Sequence, residues 1–211
     1  MNIKGKIAAA LPASVRAQWR RIRHPNAVVP VVPLAAALFA EAVARPSDIR
    51  GHLNYLYRLA STVEHITEFG TRSGQSTAAF LYAKPQRLRC YDLDRAGTIA
   101  TFEAAAREGG VDFMFQQADV LKIDIEPTDL LFIDTWHTGE QVAEELRLHG
   151  GRARRYLVFH DTETYGHRGE TEADSGMWPP IAAFVRQNPQ WRLLHHFQHD
   201  NGLTVLTRVE R

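Results

Sequence analysis

Acids and histidines recur in this chain just after short apolar runs. Glu68 is the last residue but one of "VEHITEF" and is followed by Gly70 and Gly74, while Asp92 and Asp94 lie in "RLRCYDLD". Asp119 follows "VDFMFQQ", Asp134 closes "TDLLFID" with Trp136 and His137 just beyond, and His160 and Asp161 close "RRYLVFHD". Carboxylates brought together suit a hard cation such as Mg²⁺, Mn²⁺ or Ca²⁺, not a zinc cage of soft ligands. Asp134 and Asp161 are the expected pair. His137, near Asp134, can serve as a ligand or as the base that takes a proton from a hydroxyl. The two glycines permit a tight turn and a close backbone approach. Each residue also has a plainer use. Asp134 can cap a helix or pair with a cation, Asp161 can cap a turn, His160 can be a buried ring bonded to backbone, and His137 can be an exposed loop residue.

These residues meet only if the apolar runs are neighbouring parallel strands. Helical segments alternate with them in the order that requires. "PLAAALFAEAVAR" has helical composition, and "PSDIRGHLNYLYRLAS" places Ile49, Leu53, Leu56 and Leu59 on one face, with Ser47 as the expected N-cap. A strand at 63–69 follows, then the helix "GQSTAAFLYAKP", ended before Pro85. The strands "RLRCYDL", "VDFMFQQADV", "TDLLFIDTW" and "RRYLVFHDT" alternate with the helices "AGTIATFEAAAREGG" and "GEQVAEELRLHGG". "WPPIAAFVRQNP" is a short helix with prolines at its start, and "WRLLHHFQHDNGLTVLTR" reads as two strands joined at Asn201-Gly202. The expected fold is therefore α/β, Rossmann-like and doubly wound. It has a mostly parallel seven-stranded sheet, helices on both faces and a C-terminal antiparallel hairpin at one edge. In such sheets ligands sit outside the carboxyl ends of the strands, where all five acidic strand ends lie.

With 211 residues, 45% hydrophobic and 23% charged, the chain suits one globular domain with a short extension. A formal net charge of +1 gives no reason to expect nucleic acid. The single cysteine, Cys90, excludes an intrachain disulfide, fits a cytoplasmic location and is expected to be a buried strand residue. Residues 1–33 form a basic extension, with an amphipathic helix expected near 13–23, and 34–211 the main domain. The extension is either a solvated arm or homodimer contact, or a peripheral dock on an anionic membrane or glycan. The polar segment 163–180 is either a lid or acceptor-binding loop, in which His167, Arg168 and Glu170 bind a polar acceptor, or a mobile surface loop. His195 and His196 face opposite sides of a strand and make no ready metal site.

The glycine spacing is not G-x-G-x-x-G, and no P-loop motif is present. Instead "EFGTRSGQS" resembles the first motif, E-x-G-x-x-x-G-x-S, of class I S-adenosylmethionine-dependent methyltransferases in their small O-methyltransferase branch. "DLLFIDTWHTGEQVAEEL" resembles the "FIDGxHxYexV" segment of a group that includes the cephalosporin-hydroxylase-like proteins, with Gly139 standing where an aromatic is usual. The resemblance runs from about residue 47 to 208. It implies that S-adenosylmethionine lies along Glu68, Gly70, Thr71, Arg72, Ser73, Gly74 and Ser76, its methionine carboxylate at the helix N-terminus. Glu68 would orient the loop or receive the amino group. Asp92, or Asp94 in its place, would hold the ribose, and Ala118 and Asp119 would meet the adenine. It further implies that Asp134, His160 and Asp161 hold a divalent metal, magnesium being expected. Asp134 and His137 would then carry the chemistry of methyl transfer to a hydroxyl of a small polar acceptor such as a sugar or glycoside. Two rivals remain open, a metal-dependent hydroxylase-like enzyme on the same fold and a non-catalytic cofactor- or glycan-binding protein.

Overall fold

The computed structural model describes residues 32–171 and 173–209, so the basic segment near 13–23 and the rest of 1–31 lie outside the described residues. The compact unit beginning at Pro33 alternates helix and strand. Its first half holds α1 (Leu34–Ala44), α2 (Leu53–Ala60), β1 (His65–Phe69), α3 (Gln75–Ala83), β2 (Arg87–Asp92), α4 (Ile99–Gly109) and β3 (Asp112–Gln117). Its second half holds β4 (Thr128–Ile133), α5 (Gly139–His149), β5 (Ala153–His160), α6 (Trp178–Gln187), β6 (Trp191–Phe197) and β7 (Leu203–Arg208).

The seven strands form one sheet in the order β3-β2-β1-β4-β5-β7-β6, with β1 to β5 parallel. Strand order reverses between β1 and β4, which opens a crevice at their carboxyl ends. Both faces of the central strands are covered. Leu130 and Phe132 of β4 pack with α1, α2, α3 and α4, while Leu131 and Ile133 pack with α5 and α6. That double burial is why these strands read as continuous apolar runs. Cys90 is buried and unbridged in β2, as expected. No helix among the described residues is long and apolar enough to cross a membrane.

Two local features refine the expectations. The terminal strands do form a hairpin, but β7 inserts between β5 and β6, antiparallel to both, so β6 is the edge strand. Burial explains the choice, because Leu203–Leu206 are buried whereas Arg192–His195 are exposed. Ser47 does not cap a helix. A 3₁₀ turn at Arg50–His52 intervenes, and α2 begins at Leu53 without a side-chain cap. The hairpin turn packs against that 3₁₀ turn, so that a Cβ on Gly51 would lie 1.9 Å from Asp200 Oδ2.

Candidate active site

The β1–α3 turn forms the floor of the crevice. Gly70 has φ +84°, and a Cβ there would lie 1.8 Å from the Asp134 carbonyl oxygen. Only glycine lets the end of β1 pass so close to the end of β4. Gly74 also has φ +84°, but its missing Cβ makes room for the Phe102 ring of α4 at 2.0 Å. Glu68 is fully buried and spends its carboxylate on the turn. Oε1 accepts from Ser76 Oγ at 2.5 Å, and Oε2 accepts from Thr77 Oγ1 at 2.7 Å and Cys90 Sγ at 3.0 Å. These bonds tie the end of β1 to the first turn of α3 and to β2. Asp92 braces the same turn, accepting from the Arg72 N–H at 2.7 Å and the Asp94 N–H at 3.0 Å.

Two cavities meet at Gly70, Arg72 and Asp134. The first, of about 300 Å³, is polar and lies between Arg45–Ile49 and Gly70–Ser76. Ser47 Oγ is buried in its wall with no hydrogen-bond partner among the described residues. The second, of about 450 Å³, has apolar walls of Tyr91, Leu93, Val120, Leu121 and Trp136, with Asp92 and Asp119 at its rim. Asp94 and Glu68 line neither cavity. Asp119 caps the turn that follows β3, accepting from the Leu121 N–H at 3.0 Å, and pairs with Lys122 at 2.9 Å. One polar and one apolar chamber, joined end to end, match a ligand with a charged head and an aromatic tail.

A buried charge cluster extends from Asp134, the one of its members that lines the two chambers. His137 Nε2 lies 2.8 Å from Asp161 Oδ2 and 3.4 Å from Asp134 Oδ1. His160 Nδ1 lies 3.3 Å from Asp134 Oδ1 and 3.4 Å from Asp161 Oδ1, while its Nε2 faces the Asp200 carbonyl at 3.2 Å. Burial works against charge on both rings, but the two aspartates outweigh it and push each histidine up to about 10. The same pairing overcomes burial at Asp134 and Asp161 and holds both below the usual carboxylate range. Among the described residues, Asp134, His137 and Asp161 bring ligand atoms close enough to share one cation. His160 lies on the other side of the two aspartates, its second ring nitrogen tied to the hairpin turn.

The loop after β5 closes over this cluster. Tyr165 stacks on the His137 ring, centroids 4.8 Å apart and 8° from parallel. Where the aromatic was expected, Gly139 leaves room for the loop: a Cβ there would lie 2.7 Å from the Gly176 carbonyl, and Asp174 Oδ1 accepts from the Gly139 N–H at 2.8 Å. His167, Arg168 and Glu170 are all exposed, but the Glu170 carboxylate is directed at the His137 ring. His195 and His196 do face opposite sides, toward Tyr55 and Trp178. Sequence reasoning missed Arg45, Ser47 and Asp48 as cavity residues, and Trp136 as a wall.

Glu145 of α5 sits beneath the apolar chamber, where Oε1 accepts from Thr135 Oγ1 at 2.6 Å and Gln141 Nε2 at 2.8 Å and Oε2 has no partner. Burial pushes both Glu145 and Glu68 up to about 7. Unfolded, each releases its proton near the ordinary value of 4.5. Their contribution to stability is therefore fully present below that value and is lost as pH rises through about 7. Glu145→Gln removes one such loss. Between pH 5 and 8 the variant should gain on the order of 3 kcal/mol on the wild type, read from urea unfolding. A gap that does not change with pH would refute it.

No protein-family model matches the chain, and no curated protein matches it. Solved structures do. An O-methyltransferase from Bacillus cereus, in complex with S-adenosylhomocysteine, superposes with a TM-score of 0.55 at 13% identity, over 92% of this chain and 96% of that one. A methyltransferase from Podospora anserina, also bound to S-adenosylhomocysteine, gives 0.55 at 15% identity, over 95% and 98%. The magnesium protoporphyrin IX methyltransferase of Synechocystis, with S-adenosylmethionine bound, gives 0.53 at 14% identity, over 99% and 98%. The chain has the class I methyltransferase fold.

Proposed function

We propose that this protein is an S-adenosylmethionine-dependent O-methyltransferase, assisted by a divalent metal, Mg²⁺ by preference. The acceptor in this reading is a hydroxyl of a small polar molecule such as a sugar or glycoside. One observation carries the reading: the polar and apolar chambers meet beside the buried Asp134–His137–Asp161 cluster. The cofactor fits the chambers. Ser47 Oγ and the turn at Gly70–Ser76 offer polar partners to a methionine head, and Trp136 and Leu93 offer walls to an adenine. The donor set fits a hard cation, since two carboxylates and one imidazole differ from the two-histidine, one-carboxylate set that iron oxygenases use.

When bound, S-adenosylmethionine supplies an already activated methyl group and the cation lowers the pKa of the acceptor hydroxyl. The chain has two tasks left, to hold the hydroxyl in line with the methyl and to remove its proton. Asp134 and Asp161 would hold the cation. His137 Nε2, facing both, would complete the coordination on giving up to the cation the proton it holds against the aspartates, and could take the acceptor's proton only after losing that one. Tyr165, packed flat on His137, shields that ring from water.

Calorimetric titration with S-adenosylmethionine, in excess Mg²⁺ and again in chelator, tests this. Micromolar binding in Mg²⁺ that weakens in chelator is expected. Binding indifferent to chelator would favour a cofactor-binding protein without metal chemistry, an outcome the cluster's own charge balance makes concrete. Absence of binding in both would remove the cofactor half of the reading.

A further inference from the structure

Glu170 lies 33 residues beyond His137, on the loop after β5, yet it makes four hydrogen bonds to the Trp136–His137 pair. Its Oε1 accepts from His137 Nδ1 at 2.6 Å and from the His137 N–H at 3.2 Å. Oε2 accepts from Trp136 Nε1 at 3.0 Å, and the Glu170 N–H donates to the His137 carbonyl at 3.2 Å. We propose that Glu170 is a positioning residue. It holds the His137 ring with Nε2 toward Asp134 and Asp161, and it holds the Trp136 indole against the apolar chamber. The proposal rests on the role given to His137 above.

The geometry supports orientation over stability. The Glu170 side chain is 34% exposed, so its pairing with His137 contributes little to folding. A carboxylate only accepts, so it fixes the proton on Nδ1 and leaves Nε2 to the cluster. A ring so fixed by a carboxylate is the arrangement that orients metal-bound histidines. Glu170 is itself well placed. Asp174 Oδ1 accepts from Gly139 at 2.8 Å and Gly176 at 2.7 Å, and Gly169 donates to the Asp174 carbonyl at 3.3 Å, which pins the loop on either side of the carboxylate. Because the two oxygens serve different residues, one side chain links the cation cluster to the wall of the apolar chamber.

The full-length chain and its E170A, E170Q and H137A variants would be compared by proton NMR with ¹⁵N-labelled imidazoles, and by Mn²⁺ titration. The wild type should show a downfield proton on His137 Nδ1. It should vanish in E170A and H137A and return, less far downfield, in E170Q, whose amide oxygen still accepts. Mn²⁺ affinity should fall about 10- to 100-fold in E170A and recover in part in E170Q. Urea midpoints should barely move in E170A and E170Q, whereas H137A, which strips a buried partner from two aspartates, should be destabilised. A proton that persists in E170A would overturn the proposal, and so would a measurable Mn²⁺ affinity equal in E170A and wild type. If the wild type binds no Mn²⁺, the metal half of the proposed function fails, and the NMR pattern alone then decides for or against Glu170.

Discussion

Asp161→Asn should lower divalent-cation affinity by at least about 100-fold and leave S-adenosylhomocysteine binding unchanged. Asp161 is buried at the end of β5, with one oxygen toward His137 and the other toward His160. It also has φ +62°. Asparagine keeps both the shape and the tolerance of that left-handed backbone, which alanine would not. Alanine would add strain to the loss of a buried charge partner, and the two effects could not be separated. With asparagine, Asp134 still faces both histidines, so the fold should stand while the cation loses one of two anionic ligands. Asp134→Asn should lower cation affinity likewise, but because Asp134 lines both chambers it should weaken S-adenosylhomocysteine binding as well. Calorimetry with Mn²⁺ reads the first quantity, and titration with S-adenosylhomocysteine reads the second. Undiminished Mn²⁺ affinity in both variants would reduce the cluster to a structural ion-pair network.

Gly70→Ala should be the most damaging single-atom-group change in the crevice. The added Cβ would meet backbone, lying 1.8 Å from the Asp134 carbonyl oxygen and 2.6 Å from its carbon. Neither side can yield. Phe69 and Ile133 are paired in the sheet, the Gly70 N–H donates to the Tyr91 carbonyl at 2.9 Å, and the Asp134 N–H donates to the Phe69 carbonyl at 2.9 Å. Adding the unfavourable φ of +84°, the variant should lose about 4 kcal/mol or more and its affinity for S-adenosylhomocysteine with it. Gly74→Ala shares the φ but meets only the Phe102 ring, which can swing aside, so its loss should be smaller. Urea unfolding of the two variants gives the order. Equal stability of Gly70→Ala and wild type would mean that β1 and β4 can separate at no cost.

Most of the sheet was legible because its physics is local. A stretch of strand buried on both faces is mostly apolar, and Leu130–Ile133 of β4 and Tyr156–Phe159 of β5 show this in their residues. The glycines at 70 and 74 were legible as a turn, but not which atoms each would crowd, because Asp134 and Phe102 are distant in sequence. Ser47 looked like a cap because the sequence shows hydroxyl and periodicity but not the 3₁₀ turn between them. The hairpin was legible from Asn201-Gly202. Its insertion was also written in the sequence, in the contrast between "LTVLT" and the polar "RLLHH", though the turn signal alone does not use it. At the site, Asp134 and Asp161 could be paired from strand order. The approach of His137 to both aspartates could not, since it depends on a ring orientation held by Glu170. Glu170 itself sits in an aperiodic loop, where only tertiary contacts give a carboxylate meaning.

The insertion of β7 has a consequence for how the molecule breathes. Strand β6 has no ladder to β5 and is attached to the sheet only through β7. The two should therefore open together as one cooperative unit, with shared amide exchange behaviour. The turn between them offers the Asp200 carbonyl to His160 Nε2 and the His199 carbonyl to His52 Nε2 at 2.9 Å. Opening of that unit releases both rings at once. The free energy that protects the edge of the sheet from solvent also keeps His160 behind its aspartates.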